Sequence, residues 1–257
     1  MSARCHDKAG CIDRPVSGFT LIELLVVMAV TLLLVAVLTP TVIMVKRITR
    51  ETICRMHVRR LCTAFQGYAT DHNQDVVSCM EWVGIPQANP HATYQAWPYM
   101  DSHDVVRKAK LWPYVENETV YSCPTFSTLL NGDVKALLKF SYVMNGNMNH
   151  MWRNQDPAYH DQGYYKYVYR KLVHIRKPEA IYLFGEEMPW ATPGHTCAGL
   201  NDGVLLSQWY PGRDGLGYFH GDGTIDLGYS TVAFVDGHTE TAHIWETGTF
   251  SLDPFDQ

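Results

Sequence analysis

Gly18-Phe19-Thr20-Leu21-Ile22-Glu23-Leu24-Leu25-Val26-Val27 decides how this chain is built: a glycine, then an apolar run with one carboxylate close to its start. From Phe19 to Val45 the only ionisable side chain is Glu23. Those 27 residues, as a helix rising about 1.5 Å per residue, extend about 40 Å, more than the ~30 Å hydrocarbon core of a bilayer. The stretch therefore predicts a membrane-spanning helix that reaches to about residue 45. A lone acid near the start of such a helix is costly in lipid unless a cation compensates it, which marks Glu23 as a functional residue. The simplest compensating cation is the amino group that Phe19 acquires if a peptidase cuts after Gly18.

The same residues resemble the processing site of type IV prepilins and type II secretion pseudopilins, over roughly residues 15 to 50. The resemblance implies cleavage after Gly18 by a prepilin peptidase acting on the cytoplasmic face, followed by methylation of the new N-terminal Phe19. It implies that Glu23 pairs with the N-terminal amine of a neighbouring subunit during filament assembly. The implied setting is a single-pass protein of the inner membrane with its C-terminal domain periplasmic or extracellular. Its implied partners are the lipid bilayer, other pilin or pseudopilin subunits and an inner-membrane assembly platform. Pro40 falls where many such proteins carry a helix-distorting proline.

Upstream, residues 1–18 are short, polar and mixed in charge, with Arg4, Lys8 and Arg14 against Asp7 and Asp13, and read as a processed leader. The basic residues Lys46, Arg47, Arg50, Arg55, Arg59 and Arg60 follow the apolar segment, and charge asymmetry alone would place the C-terminal side in the cytoplasm. The cleavage motif implies the opposite orientation and is taken to override the charge rule.

Downstream, Cys54, Val58, Leu61, Cys62, Phe65, Tyr68 and Ala69 recur at spacings of three and four, one apolar stripe with the arginines mostly off it. The expectation is one long helix over 19–71, its first half bare and its second half packed on a globular domain of residues 72–257. A separate shorter helix after a break at Pro40 is the alternative. The fold class is α+β: the stripe packs against a small antiparallel sheet that includes a hairpin over 231–244. The 257 residues leave enough chain beyond one membrane segment for one well-cored domain. A net charge of −5 with 18% charged residues offers no broad basic surface, so nucleic acid is not an expected partner.

Asp71 to Val77 reads as the exit from the helix. Residues 79–101, with Trp82, Tyr94, Trp97, Tyr99, Pro86, Pro90 and Pro98, keep neither helical nor strand periodicity and read as an irregular loop pinned by aromatics. A sugar platform and half-buried core residues are both open to those aromatics. Leu111-Trp112-Pro113-Tyr114-Val115, Val120-Tyr121-Ser122-Cys123-Pro124 and Ser141-Tyr142-Val143-Met144-Asn145 resemble, in order and spacing, a group of bacterial prepilin-like proteins ending in a His-x9-Asp-Gly motif. Ile175 to Ile181 followed by Gly185-Glu186-Glu187 resembles the segment before that motif, and Ile181-Tyr182-Leu183-Phe184 is a short buried strand by composition. Asp236-Gly237 supplies the end of the motif, but the position ten residues earlier holds Asp226. His220 is the nearest upstream histidine, so either six residues are inserted or the histidine is replaced. Asp236-Gly237 between two β-rich runs is in any case a two-residue hairpin turn that needs no chemistry.

The Asp- and Gly-rich stretch around His220, Asp222 and Asp226 offers hard oxygen donors for Ca²⁺, although it does not match the twelve-residue loop with a closing Glu; a solvated turn is the simpler reading. Some pseudopilins bind calcium in a C-terminal loop, so the resemblance adds to that option, and no other cofactor is expected. His238 and His243 lie five apart on a strand and would face opposite sides, which argues against shared zinc ligation. Cys54 and Cys62, eight residues apart on one helix, are about 12 Å apart and cannot bridge. A disulfide among Cys79, Cys123 and Cys197 is open if the domain is exported, and the chain has no CxxC. Two function classes follow: a non-catalytic pseudopilin-like subunit, or an anchored carbohydrate-binding or glycan-active protein using Glu186, Glu187 and Asp222 with the tryptophans.

Overall fold

α1 spans Leu21–Asp71, 51 residues or about 77 Å, and runs unbroken through Pro40. The two-helix alternative therefore does not form. The apolar half hides its few polar side-chain atoms within the helix: the hydroxyls of Thr31, Thr39 and Thr41 donate to the carbonyls of Met28, Val35 and Leu38 at 2.9, 2.7 and 2.7 Å. Its most apolar 18-residue window has a mean hydropathy of 3.0, and none of that window is buried. The computed structural model describes residues 18–84, 104–129, 140–149, 169–186, 203–205, 216–221 and 228–243. The chain divides into two compact units, Met1–Lys46 and Arg47–Gln257.

Within the second unit, the buried residues of α1 are Cys54, Val58, Leu61, Cys62, Ala64, Phe65 and Ala69. The stripe of three- and four-residue spacings is thus the face that enters the core. The helix ends where Asn73 turns left-handed at φ 52°, and the Gln74 N–H donates back to the Ala69 carbonyl at 2.7 Å. That closure satisfies a carbonyl that would otherwise be orphaned at the helix end.

The strands are β1 (Tyr142–Asn145), β2 (Tyr182–Glu186), β3 (Val204–Leu205), β4 (Ser230–Phe234) and β5 (Thr239–Ala242), in the order β3-β1-β2-β4-β5. The β1–β2, β2–β4 and β4–β5 pairs are antiparallel, but β3 joins β1 in parallel, so the sheet is mixed where an antiparallel one was expected. The two faces bury separate apolar clusters. Tyr142, Met144, Phe184 and Ala233 share the cluster of the α1 stripe, whereas Val143, Tyr182, Val232 and Phe234 belong to the other. In β2 Leu183 and Phe184 both join the α1-side cluster, and the β2–β4 register shifts between Tyr182 and Phe184. A bulge of this kind breaks the two-residue alternation and sets which way Phe184 and Glu186 point.

Trp82 is fully buried, its ring centroid 5.0 Å from Phe184 and its indole N–H donating to the Gly203 carbonyl at 2.7 Å. The described part of the expected aromatic loop, residues 79–84, is therefore core; the rest of that loop lies outside the described residues.

The expected hairpin forms as β4 and β5, with a different turn; Ile244 lies outside the described residues. Gly237 N–H donates to the Phe234 carbonyl and Phe234 N–H to the His238 carbonyl, which makes Val235-Asp236-Gly237 a three-residue loop. Only Gly237 has a positive φ, 93°; a two-residue turn of the expected kind needs left-handed geometry at Asp236 as well. Asp236 instead accepts the His238 N–H at 3.0 Å, a local bond that suits Asp in a right-handed turn position.

Candidate functional site

Thr20 stands immediately before α1, and its side chain and that of Glu23 cap the helix reciprocally. Thr20 Oγ1 accepts the Glu23 N–H at 3.2 Å, while Glu23 Oε2 accepts the Thr20 N–H and the Thr20 hydroxyl, both at 2.8 Å. This is the capping box, whose Thr-x-x-Glu spacing stands in the sequence and was not recognised there. Both bonds use Oε2, which leaves Oε1 available. Gly18 is exposed, and among the described residues no atom beyond its own chain neighbours lies within 4 Å of where its Cβ would be. Phe19 is 80% exposed.

A second, buried group of polar side chains lies on the α1 side of the sheet. Glu186 ends β2 and, two residues on from Phe184, points toward the helix; Tyr142 is its register partner on β1. Glu186 Oε2 accepts the Thr231 N–H at 2.8 Å, which aims Oε1 at Cys54 and His220. The Cys54 thiol donates to Oε1 at 2.5 Å and His220 Nε2 lies 2.9 Å from the same oxygen. Cys123 Sγ lies 3.6 Å from the same Nε2, and Tyr142 Oη 3.0 Å from Cys54 Sγ. The backbone of His220 is held by an isolated antiparallel bridge to Tyr229, its N–H on the Tyr229 carbonyl and the reverse. The bridge ties His220 to Tyr229, the residue immediately before β4.

None of Cys54, Cys123, Glu186 and His220 is more than 2% exposed. Burial opposes charge on His220, but the Glu186 carboxylate and the Cys123 thiol outweigh it and raise the imidazole to about 10. Burial likewise pushes the Glu186 carboxyl up, and His220 together with its hydrogen bonds pulls it below the usual carboxylate range. Burial holds Cys54 well above the usual thiol range. The arrangement is not that of a Cys-His-Glu nucleophile. A catalytic imidazole contacts its nucleophile through one ring nitrogen and its orienting carboxylate through the other. In this cluster both partners converge on Nε2, and Nδ1 is buried with no hydrogen-bond partner.

Of the residues singled out from sequence, His220 and Glu186 are brought together and Asp236 and Gly237 are elsewhere, in the hairpin loop. His238 stacks on Phe234 at 4.2 Å with its Nδ1 2.6 Å from Asp236 Oδ1, and His243 Nδ1 lies 2.9 Å from the Gly228 carbonyl. Neither joins His220. Asp222, Asp226 and Glu187 lie outside the described residues. Glu186, buried and fully engaged, cannot face a sugar in a cleft, so its place in a glycan site is overturned. Cys79 and Cys123 are not bridged to each other; Cys197 lies outside the described residues. Cys54 and Cys123 are site residues that sequence reasoning missed.

Residues 13–39 match the family described as the prokaryotic N-terminal methylation motif. The match ends within the apolar half of α1, and together with that long helix and a small mixed sheet it supports a prepilin-like chain anchored in the membrane through α1, the one candidate span among the described residues. No curated protein and no solved structure matches the chain.

Proposed function

We propose that the protein is a pseudopilin-like structural subunit of a type II secretion or type IV pilus-like system. It is cut after Gly18 by a prepilin peptidase, methylated on Phe19 and assembled with other subunits through the apolar half of α1 on an inner-membrane platform. The unit of residues 47–257 is carried on the periplasmic or extracellular side. The observation behind this reading is the methylation-motif match on Gly18-Phe19-Thr20-Leu21-Ile22-Glu23, set at the head of a helix whose apolar half buries nothing. An exposed glycine suits a scissile site, because a peptidase must approach the backbone closely there. The capping box keeps the Glu23 carboxylate beside the new N-terminus with one oxygen spare for a neighbour's amine. A structural subunit needs no catalytic cleft, in keeping with a methylation motif typical of filament-forming chains.

Mass spectrometry of the protein extracted from its own membranes tests this. The expected result is a mature chain beginning at N-methylated Phe19, and an uncut precursor when Gly18 is replaced by Val. A native chain that retains residues 1–18, or a Gly18→Val chain trimmed normally, would remove the prepilin reading.

A further inference from the structure

Cys54 comes from α1, Cys123 from the segment after a 3-10 turn (Glu118–Tyr121), Glu186 from the end of β2 and His220 from the strand-like stretch bridged to Tyr229. One ligand atom from each lies within 4.8 Å of every other. We propose that these four side chains form a structural zinc site.

The donor set selects the ion. Two soft thiolates and a borderline imidazole, completed by one harder carboxylate oxygen, suit tetrahedral zinc, whereas Ca²⁺ and Mg²⁺ require a sphere made of oxygen donors. Zinc–sulfur bonds of about 2.3 Å and zinc–nitrogen or –oxygen bonds of about 2.0–2.2 Å put neighbouring ligand atoms about 3.3–3.8 Å apart in a tetrahedron. The Cys123 Sγ to His220 Nε2 separation of 3.6 Å already matches. The two contacts made by Glu186 Oε1, 2.9 and 2.5 Å, are hydrogen-bond lengths, and Oε1 has to withdraw by about 0.4–1 Å as an ion replaces the shared protons.

The surroundings fit a ligand sphere better than a polar core. Convergence of a thiol and a carboxylate on one ring nitrogen is unproductive for proton relay, yet it is the geometry of ligands around a common centre. Glu186 Oε2 is held by the Thr231 N–H at 2.8 Å, the kind of outer bond that orients a ligating carboxylate, and Tyr142 Oη at 3.0 Å from Cys54 Sγ serves that thiolate similarly. All four ligands come from the protein and all are buried, so no coordination position is left for substrate and the site is structural. Cys54 and Glu186 are 132 residues apart in the chain, and Cys123 and His220 are 97 apart. Joining such distant points restricts the unfolded chain, so the ion staples α1 to the sheet. It also keeps two adjacent thiols reduced in an oxidising compartment. Binding is not a redox step: the thiols lose their protons to solvent, as does the imidazole if charged, and no bond other than those to the metal forms.

The test uses the full chain, extracted in mild detergent without chelator. Elemental analysis should find one zinc per chain, and removing it with a strong chelator should lower the thermal midpoint by several degrees, restored by added Zn²⁺. Reconstitution of the reduced, metal-free chain with Co²⁺ should give the ligand-field bands of a tetrahedral ion and a thiolate-to-cobalt charge-transfer band. Cys123→Ser should lose about half of that band, as one of two thiolates is removed. Cys62→Ser, a buried thiol outside the cluster, should keep all of it. The wild-type cobalt spectrum decides even if Cys123→Ser fails to fold. A folded wild-type chain that carries no zinc and gives no cobalt bands would overturn the site. So would a Cys54–Cys123 disulfide trapped in protein taken directly from the envelope.

Discussion

Glu23 carries two duties that a single substitution can separate. Its Oε2 caps α1 through Thr20 at 2.8 Å, and its charge is the partner expected for a neighbour's terminal amine. Glutamine at the same helix position supports a capping box and has no charge. Glu23→Gln should therefore insert and be cleaved like the parent while its incorporation into filaments falls several-fold, because an amine in an apolar medium loses its counter-charge. Thr20→Val removes the cap and keeps the carboxylate, and should assemble. Membrane and filament fractions measured side by side decide, and equal incorporation of Glu23→Gln would sink charge pairing. Glu186 is the other residue where one atom matters. Because the Glu186 carboxylate is the chief group that raises His220, Glu186→Ala in metal-free protein lets burial drive the imidazole neutral and leaves it and the Thr231 N–H without their carboxylate partner, which should destabilise by about 1–3 kcal/mol in urea titration. The exposed Glu240→Ala should change little.

At the scale of elements, the α1 stripe was legible because one face of a helix repeats at three and four residues, and Cys54 to Ala69 keep that spacing against the core. Phe65 meets Phe184 edge-on at 6.5 Å, and Phe65→Ala should cost about 3–5 kcal/mol, whereas Leu33→Ala, 65% exposed, should leave the unfolding midpoint of residues 47–257 unchanged. The hairpin's place was legible from Asp236-Gly237, but its loop length was not, since that dipeptide serves both two- and three-residue loops. A Cβ on Gly237 would meet only Gln66 Nε2, at 3.7 Å, so Gly237→Ala should cost about 1–2 kcal/mol from the φ of 93° alone. Gly237→Asn should cost less, and a denaturation series of the two variants tests the order. The parallel β3 escaped notice because Val204-Leu205 is too short to show any period. The buried cluster had no signature at all: its members stand 34, 97 and 132 residues apart in pairs, so no local spacing announces them, and only the fold assembles them.

At the scale of the whole chain, the boundary between the two units, Met1–Lys46 and Arg47–Gln257, separates bare helix from core. The first holds an apolar helix with a single carboxylate and no buried residue among those described; the second holds every buried residue of α1, from Cys54 to Ala69. Removing residues 1–46 takes away surface that water tolerates poorly and no part of the core, so the remaining chain should be soluble and unfold in one cooperative transition. Extending the deletion to residue 71 removes Val58, Leu61 and Phe65 from the core together with Cys54 from the proposed zinc site, and exposes the sheet face they cover. A sheet of five short strands with one face bared cannot hold itself together, so that longer truncation should aggregate or stay unfolded. Circular dichroism and urea titration of the two truncations side by side give the answer. Aggregation of the first would show that the apolar half of α1 contributes to the core, and folding of the second would show that the helix is only a stalk.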